Sequence, residues 1–395
     1  MSETPPVTGL VLSGGGARGA YEVGVLQAIV EIIGPGQCQS AFQVYTGTSV
    51  GALNATWLAA HADQPDMGIH GLAEKWSELR IDEHLRLNRL RDLIPRKSSG
   101  TWSLLNIGPL AKLMTSTMPW ARLHQNIQSG AVHALAVACL EVATGQTVIF
   151  AETAPNVTFR PTRSPSRQGR TTQINAEHIL ASTSLPFLFP PRKIDGSWFV
   201  DGGLRFNTPI APALRLGAER VCVISLLSET DATTPKVAPI EFPSPSFLAG
   251  KILDALLLDP MVHDIQVLDR FNALMDVLDD VLTEEEQARV DDVITERRGM
   301  PYRRIDRLLF RPTADIGEMA AQFVKKIRVR RPATAILTQA MKFGESKESD
   351  LLSFLMFDKT FVEPLIDLGY QDAKNRRDEI EAFFGPSQQR NGVLP

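Results

Sequence analysis

The sequence predicts an α/β fold built on a parallel β-sheet, and three observations lead to that prediction. An apolar run at residues 7–12 is followed by a glycine-rich turn and by a helical pattern that ends near Ile33. A second short run, residues 42–45, is also followed by a glycine turn and a helical pattern. Alternation of strand, turn and helix is typical of parallel sheets. The third observation is the composition, 44% hydrophobic and 22% charged, which is that of an ordinary globular protein.

Composition and charge exclude several classes of protein. A chain of this hydrophobic content without internal repeats is not disordered, fibrous or coiled-coil. Its 41 basic and 45 acidic residues give a net charge of −4. No nucleic-acid partner is expected, because nucleic-acid binding needs a basic surface. The longest apolar runs fall short of the roughly eighteen residues that cross a bilayer, so no segment is expected to span one.

The cysteines and the amino terminus bear on localisation. The three cysteines, Cys38, Cys139 and Cys222, are too few and too scattered for a disulfide framework or a cysteine-rich zinc site. This usage fits a reducing compartment. Residues 1–8 contain two prolines and no basic residue, so they do not resemble a signal peptide. We therefore expect a cytoplasmic protein, with peripheral contact to a membrane left open.

Beyond the second helix the pattern predicts a series of further elements. Residues 62–130 are expected to be mostly helical, with breaks at Pro65, Pro95 and Pro109. The later elements are expected in this order: a hairpin over 133–142 and 147–150, a loop over 155–173, a helix over 174–184, a strand over 197–200, a helix over 208–216, a strand over 221–226, a linker over 228–246, a helical region over 247–296, a strand over 303–310, and helices to about residue 384.

The loop at 155–173 is rich in arginine. Arg160, Arg163, Arg167 and Arg170 all fall within it. Two interpretations stay open: a solvated basic loop, and a contact for phosphate head groups.

A Gly-x-Ser-x-Gly pentapeptide, Gly47 to Gly51, lies between the second strand and the following helix. A turn this sharp crowds its neighbours, and the two glycines relieve the clash. The turn would expose the Ser49 hydroxyl above the sheet edge at a helix N-terminus, where negative charge is favoured. The alternative is a helix cap in which Ser49 serves only as the N-cap residue.

The first turn, Gly14-Gly15-Gly16-Ala17-Arg18-Gly19, can be interpreted in two ways. Its glycines match the dinucleotide-binding fingerprint, and they also suit a nest of N–H groups that would hold an oxyanion. The fingerprint expects an acidic residue at the end of the second strand, where this chain has the serine motif instead. That difference favours acyl transfer. Arg18 would stabilise an anion or brace the loop.

Asp201-Gly202-Gly203 follows a predicted strand, so its carboxylate would reach the sheet edge near Ser49. The alternative is an ordinary Asp-Gly turn. A serine nucleophile needs a base, and of the seven histidines only His263 follows Asp201, as the chain order of α/β-hydrolases requires. His263 lacks a strand–loop context. A Ser–Asp dyad is therefore the better hypothesis, with Asp201 accepting the Ser49 proton directly.

The order of these three motifs resembles the patatin-like phospholipases, over roughly residues 8–228. The likeness extends to Val142-Ala143-Thr144-Gly145, to Ser182-Thr183-Ser184-Leu185-Pro186, and to Gly369-Tyr370-Gln371-Asp372-Ala373. The resemblance implies a patatin-like three-layer α/β fold: a mainly parallel central sheet flanked by helices, with C-terminal helical additions. It implies a catalytic core over 8–228. Beyond that core, the sequence pattern predicts a linker and helical insertion over 229–300, a late strand and C-terminal helices packing on the core over 301–385, and a tail over 386–395.

The resemblance also implies the roles of individual residues. Ser49 would be the nucleophile and Asp201 the base, with Gly14, Gly15, Gly16 and Arg18 forming the oxyanion region. The supporting glycines of the motifs are Gly19, Gly47, Gly51, Gly202 and Gly203. The implied activity is that of a lipid acyl hydrolase, of the phospholipase A or lysophospholipase type. No cofactor or metal is expected, because this chemistry needs none. The expected partner is a phospholipid or another acyl-ester lipid.

Three further expectations concern substrate access and the alternatives to an enzyme. The apolar run 187–189 would line an acyl channel or pack in the core. The amphipathic stretch 247–258 would form an interfacial lid, although core or dimer packing fits it equally. The alternative function is a nucleotide-responsive or catalytically silent regulatory protein that uses the glycine-rich loop to bind an anion.

Overall fold

The structure, a computed structural model, describes residues 5–80, 83, 86–88, 103–106, 108–160, 162–229, 252, 255, 259–324 and 350–385. Its strands, numbered in chain order, are β1 (Thr8–Leu12), β2 (Val44–Thr48), β3 (Arg86–Leu87), β4 (Leu105–Asn106), β5 (Ala134–Glu141), β6 (Thr147–Thr153), β7 (Arg167–Thr171), β8 (Arg192–Ile194), β9 (Ser197–Asp201), β10 (Arg220–Ile224) and β11 (Asp306–Phe310).

The α-helices are numbered in the same way. They are α1 (Ala20–Ile33), α2 (Pro35–Cys38), α3 (Val50–Ala60), α4 (Pro65–Ser77), α5 (Gly108–Ser116), α6 (Trp120–Ser129), α7 (Ala176–Ser182), α8 (Ile210–Arg215), α9 (Asp259–Val281), α10 (Glu284–Arg298), α11 (Ile316–Val324), α12 (Asp350–Leu355), α13 (Lys359–Lys374) and α14 (Arg377–Phe384). Two short 3₁₀ turns cover Gly16–Gly19 and Gly202–Leu204.

Nine of these strands form one sheet in which β11, β10, β1, β2 and β5 run parallel in that order. Strands β6 and β9 pair with β5 in the antiparallel sense, β7 pairs with β6, and β8 pairs with β9. Every residue of β1, β2 and β10 is buried, as expected for central parallel strands covered by helices on both faces. The predicted fold class, a mainly parallel sheet flanked by helices, is confirmed.

The register of β5 with its two neighbours brings two predicted site residues together. Thr48, the last residue of β2, pairs with Ala138 of β5. Asp201, the last residue of β9, pairs with Cys139. Because Ala138 and Cys139 are consecutive, the residue that follows β2 and the residue that ends β9 lie at the same place on the sheet.

One sequence-based expectation needs correction. The region 155–173 is not entirely loop, because residues 167–171 form β7. This edge strand is Arg-Gln-Gly-Arg-Thr, and all five of its residues are at least partly exposed. Because its sequence does not alternate between apolar and polar residues, no sequence pattern predicts it. Pro65 and Pro109 each stand in the first turn of a helix, α4 and α5 respectively, where proline is tolerated. A new helix therefore begins at each of these two predicted breaks. Pro95 and most of the stretches 228–246 and 247–258 lie outside the described residues.

The segment Gly369 to Ala373 lies within α13, which packs closely on α1. A Cβ at Gly369 would lie 2.2 Å from the carbonyl oxygen of Tyr21, so the two helix backbones touch there. The Tyr21 hydroxyl donates to Asp372, which also accepts from the backbone N–H and the hydroxyl of Thr313. These contacts fix the C-terminal helices against the first helix, and buried residues from both regions belong to one hydrophobic cluster.

No helix among the described residues is long and apolar enough to cross a membrane.

Candidate active site

Ser49 occupies a strained turn between β2 and α3. Its backbone has φ 54° and ψ −127°, a region that L-residues avoid at a cost of about 1–3 kcal/mol. The flanking glycines permit the close approach that this turn requires. A Cβ at Gly47 would lie 2.3 Å from the Gly51 carbonyl oxygen, and one at Gly51 would lie 2.5 Å from that of Leu12. The Ser49 hydroxyl makes no cap hydrogen bond to α3, so the structure does not support a capping role.

Ser182 holds the backbone of Ser49 in place. The Ser49 N–H donates to the Ser182 hydroxyl oxygen at 2.9 Å, and that hydroxyl donates to the Ala138 carbonyl at 2.7 Å. Both bonds are buried, so they are shielded from competition with water. This chain of hydrogen bonds ties the serine turn to the middle of β5 through the end of α7.

Asp201 is fully buried at the end of β9. Its Oδ1 accepts the Gly203 N–H at 2.8 Å, and its own N–H donates to the Ser184 carbonyl at 2.9 Å. Oδ2 is buried and has no completed hydrogen bond within the described part of the chain. Burial raises the pKa of Asp201 to about 7, and the interactions with Ser49 and Gly203 oppose that rise only in part.

Ser49 and Asp201 therefore meet at one edge of the sheet. The Ser49 side chain lies close enough to the carboxyl group to lower the pKa of Asp201. Among the described histidine side chains, none has a hydrogen bond or ion pair to either residue. The His263 side chain is outside the described set.

The glycine-rich loop lies beside Ser49, and Asn207 clamps its first glycine. The Asn207 side chain accepts the Gly14 N–H and donates to the Gly14 carbonyl, both at 3.0 Å. A Cβ at Gly14 would be 3.0 Å from the Ser49 Cβ. The N–H groups of Gly15 and Gly16 have no acceptor among the described residues. Since the Gly14 N–H is already engaged, Gly15 and Gly16 are the better candidates for anion binding.

Arg18 braces the loop. It is 4% exposed, its Nε donates to the Ser353 hydroxyl at 2.6 Å, and its guanidinium lies 4.2 Å from the centre of the Phe354 ring. A Cβ at Gly16 would lie 2.1 Å from the Phe354 carbonyl oxygen. Helix α12 thus covers one side of the loop, which leaves little room there for the phosphates of a nucleotide.

The remaining motif glycines have identifiable roles. Gly203 supplies the N–H that holds Asp201. A Cβ at Gly202 would lie 2.4 Å from the Ala138 carbonyl oxygen, so only glycine lets the Asp201 turn approach β5. A Cβ at Gly19 would lie 2.6 Å from Cγ1 of Val50, so these two residues pack closely. These glycines allow the three motif turns to meet.

Neither Ser182 nor Asn207 is among the site residues predicted from the sequence. Ser182 lies in the segment 182–186, and the family likeness of that segment is the signal that could have found it. Asn207 stands in no motif; its partner Gly14 is 193 positions away.

Known proteins are similar to the part of the chain that contains all three motifs. A family model described as "Patatin-like phospholipase" matches residues 10–214, just over half of the chain. A curated relative, the cGAMP-activated phospholipase of Escherichia coli (strain TW11681), is 26% identical over 222 residues, which cover 52% of this chain and 54% of the relative. The chain thus matches about half the length of that protein.

Solved structures give more distant likenesses. Human GIVD cytosolic phospholipase A2 is 13% identical with a TM-score of 0.46, covering 96% of this chain and 60% of that one. VipD from Legionella pneumophila is 14% identical with a TM-score of 0.36, covering 95% and 67%. Likenesses this distant carry no information on substrate.

Proposed function

This chain belongs to the patatin-like phospholipase family, and from that premise we propose that it hydrolyses fatty-acyl esters of phospholipids with Ser49 as nucleophile and Asp201 as base. Family membership supports lipid hydrolase activity; the dyad and the substrate are our proposal. One observation carries the proposal: Ser49, in its strained turn, lies beside the buried carboxyl group of Asp201. The Oδ2 atom of that carboxyl group has no hydrogen-bond partner among the described residues.

The proposed reaction has two stages. Asp201 Oδ2 accepts the hydroxyl proton of Ser49 as the serine oxygen attacks the acyl carbonyl carbon. The tetrahedral intermediate collapses to acyl-Ser49, and the alcohol leaves with the proton from Asp201. Water then attacks the acyl group while Asp201 accepts its proton. Collapse of the second intermediate returns that proton to Ser49 and releases the fatty acid.

The N–H groups of Gly15 and Gly16 are our candidates for stabilising the oxyanion. The Asn207 clamp on Gly14 and the Arg18 brace would hold the loop still, so that its donors need no reorganisation during the reaction. Removing one such donor typically lowers turnover by about 10²–10³-fold. In this proposal Gly14 and Arg18 position the oxyanion region, and Gly15 and Gly16 contact the substrate.

Substrate would reach Ser49 from a membrane or micelle. Phe187 is 70% exposed, whereas Phe189 is buried. We propose that Phe187 contacts acyl chains at the lipid surface and that Phe189 packs in the core. The Phe187 carbonyl accepts the Leu104 N–H, which fixes this exposed turn. We also propose that residues 8–228 form the catalytic core and that residues 301–385 pack on it as C-terminal additions.

The name of the curated relative adds one candidate property, activation by cGAMP. The alternative in which the glycine-rich loop itself binds a nucleotide is less well supported. That loop is packed against Ser49, Asn207 and Phe354, so it has the surroundings of an oxyanion site.

A fluorophosphonate probe tests the dyad directly. We expect covalent labelling of Ser49, detected by peptide mass spectrometry, together with fatty-acid release from phospholipid vesicles. Labelling should become faster from pH 6 to pH 8, since Asp201 must be ionised to activate the serine. An intact, folded chain that neither reacts with the probe nor releases fatty acid would instead favour a catalytically silent protein.

Ser182→Ala is expected to lower kcat about tenfold, because it leaves the buried Ser49 N–H without its acceptor. Thr183→Ala is a matched control at the next residue. Among the described residues, the Thr183 hydroxyl donates only to the Leu180 carbonyl. We expect nearly unchanged kcat for that control. If Ser182 positions Ser49, Ser182→Ala should lower kcat for a soluble ester and leave KM nearly unchanged. An equal loss of kcat in Ser182→Ala and in the control variant would refute that role.

A further inference from the structure

A large cavity apart from Ser49 carries an excess of positive charge. Its volume is about 820 Å³, and neither Ser49 nor Asp201 lines it. Its walls come from residues 159–171, from the segment 206–215, and from residues 264–305, which run from α9 through α10 to the turn after it. Seven arginines line it, while Asp264 is its only acidic residue in the described part of the chain. Although the protein has a net charge of −4, seven of its arginine side chains are concentrated around this one cavity.

The arginines come from distant parts of the sequence. Of the four in the segment 155–173, three line the cavity: Arg160 and Arg163, which lie in a loop, and Arg167 at the start of β7. The fourth, Arg170, donates instead to Glu141. The other four come from α8, from the end of α10 and from the turn after it: Arg215, Arg297, Arg298 and Arg303. The basic loop thus faces the helical region across the cavity.

Partial burial and mutual repulsion of these arginines make the folded protein less stable when no anion is bound between them. Arg167, Arg215, Arg298 and Arg303 are each half-buried. Burial lowers the pKa of all four, and for Arg215 the charges of Arg298 and Arg167 lower it further. Like charges that are partly removed from water destabilise one another. An anion bound between them would offset that cost.

The acidic residues nearby compensate only part of the charge. Glu219 lies 3.7 Å from Arg303, and Asp264 attracts Arg167. Arg160 and Arg163 form no ion pair within the described residues. The cavity therefore has arginines available to bind an added anion.

Aromatic rings hold two of the guanidinium groups in place. Arg298 lies 4.5 Å from the centre of the Tyr302 ring, which is stacked on Phe271 at 4.3 Å. Arg167 lies 4.2 Å from the centre of the Phe206 ring. A guanidinium that rests on a ring keeps its in-plane N–H groups available to phosphate oxygens. Of those groups on Arg298, Nη1 already donates to the Pro301 carbonyl.

We propose that this arginine cavity binds a phosphate-ester anion, as carried by a free nucleotide or by a lipid head group. Its volume falls within the range of small-molecule sites, about 300–1,000 Å³. The fixed arginines suit phosphate better than a carboxylate-bearing peptide, because a phosphate offers several oxygens to several arginines at once. The site is separate from the catalytic centre, so its binding does not depend on the proposed hydrolysis.

The cavity nevertheless shares a wall with the Ser49 site. Phe206 lines the cavity, and its carbonyl accepts the hydroxyl of Thr48, the residue before Ser49, at 3.0 Å. The next residue, Asn207, clamps Gly14. An anion in the cavity would therefore contact the segment that supports the glycine-rich loop.

Binding is best measured on the Ser49→Ala chain, so that lipid is not consumed. The soluble probes are ATP and cGAMP, titrated by calorimetry. The lipid probes are vesicles of phosphatidylglycerol, with phosphatidylcholine vesicles for comparison, measured by sedimentation. We expect binding that weakens as salt rises, because the contacts are ionic. Binding of the soluble probes identifies a free phosphate ester as a ligand, and binding of the anionic vesicles identifies a head group.

Arginine variants place the binding in the cavity. The double variant Arg160→Gln/Arg163→Gln changes two exposed side chains and should weaken binding about tenfold or more. Arg298→Gln should do the same if it folds, as judged by thermal unfolding. Arg304→Gln is the matched control, since Arg304 is exposed and pairs with Asp276 outside the cavity; we expect a change below twofold. Absence of binding to every probe, or equal binding by the double variant and the control, would overturn the proposal.

Discussion

Ser49→Ala is expected to abolish fatty-acid release, with turnover lowered by at least about 10⁴-fold. The alanine chain retains the oxyanion donors and the substrate surface but has no atom that can form the acyl intermediate. Loss of the nucleophile in serine hydrolases typically has an effect of this size. The measurement is fatty acid released from phospholipid vesicles over time. Ser40→Ala is a matched control, because Ser40 is exposed and donates only to the nearby Gln37 carbonyl.

The same substitution should leave folding intact. The Ser49 hydroxyl makes no cap hydrogen bond, and alanine and serine experience the same strain at φ 54°. Ser49→Gly should relieve that strain and raise stability by about 1–3 kcal/mol, because glycine adopts a positive φ freely. We therefore expect Ser49→Gly to be inactive and more stable than the natural chain. A folded Ser49→Ala protein with unchanged turnover would exclude the dyad.

The parts of the fold that the sequence predicted best have strong local signals. Strands β1 and β2 end in glycine turns and precede helices, so pattern and turn chemistry agree there. β7 had no such signal. It forms because Arg167 to Thr171 pairs in register with β6, and a polar edge strand is determined by its partner rather than by its own composition.

The candidate site divides in the same way. Ser49 and Asp201 lie in short motifs whose glycines are required by backbone contacts, so a local pattern identified them. Ser182 and Asn207 act through single hydrogen bonds to residues 133 and 193 positions away. No spacing rule relates such pairs. The arginine cavity is similar, because the arginines of the segment 155–173 face Arg297, Arg298 and Arg303, which lie more than a hundred residues later.

Asp201→Asn is expected to lower kcat by about 10³-fold or more and at the same time to stabilise the fold at alkaline pH. Asparagine has nearly the same shape but cannot accept the Ser49 proton, and general-base catalysis contributes about 10²–10⁴-fold. The natural chain should show kcat/KM rising about tenfold per pH unit below pH 7 and levelling above it, because the pKa of Asp201 is about 7. The exposed Asp195→Asn, in the β8–β9 turn, is the matched control and should keep that profile.

The stability effect follows from the same burial. Folding raises the pKa of Asp201 from 3.8 to about 7, so the folded state holds the proton more tightly than the unfolded state. Between about pH 4 and pH 7 this residue therefore makes the fold less stable as pH rises, by about 4 kcal/mol in total. Asparagine has no proton to lose. The free energy of unfolding is measured with denaturant for both chains at pH 4 and pH 8. The difference between Asp201→Asn and the natural chain should favour the variant more at pH 8 than at pH 4. An equal stability difference at both pH values would mean that folding does not raise the pKa of Asp201. Asp201 would then lack the raised pKa on which its proposed role as general base rests.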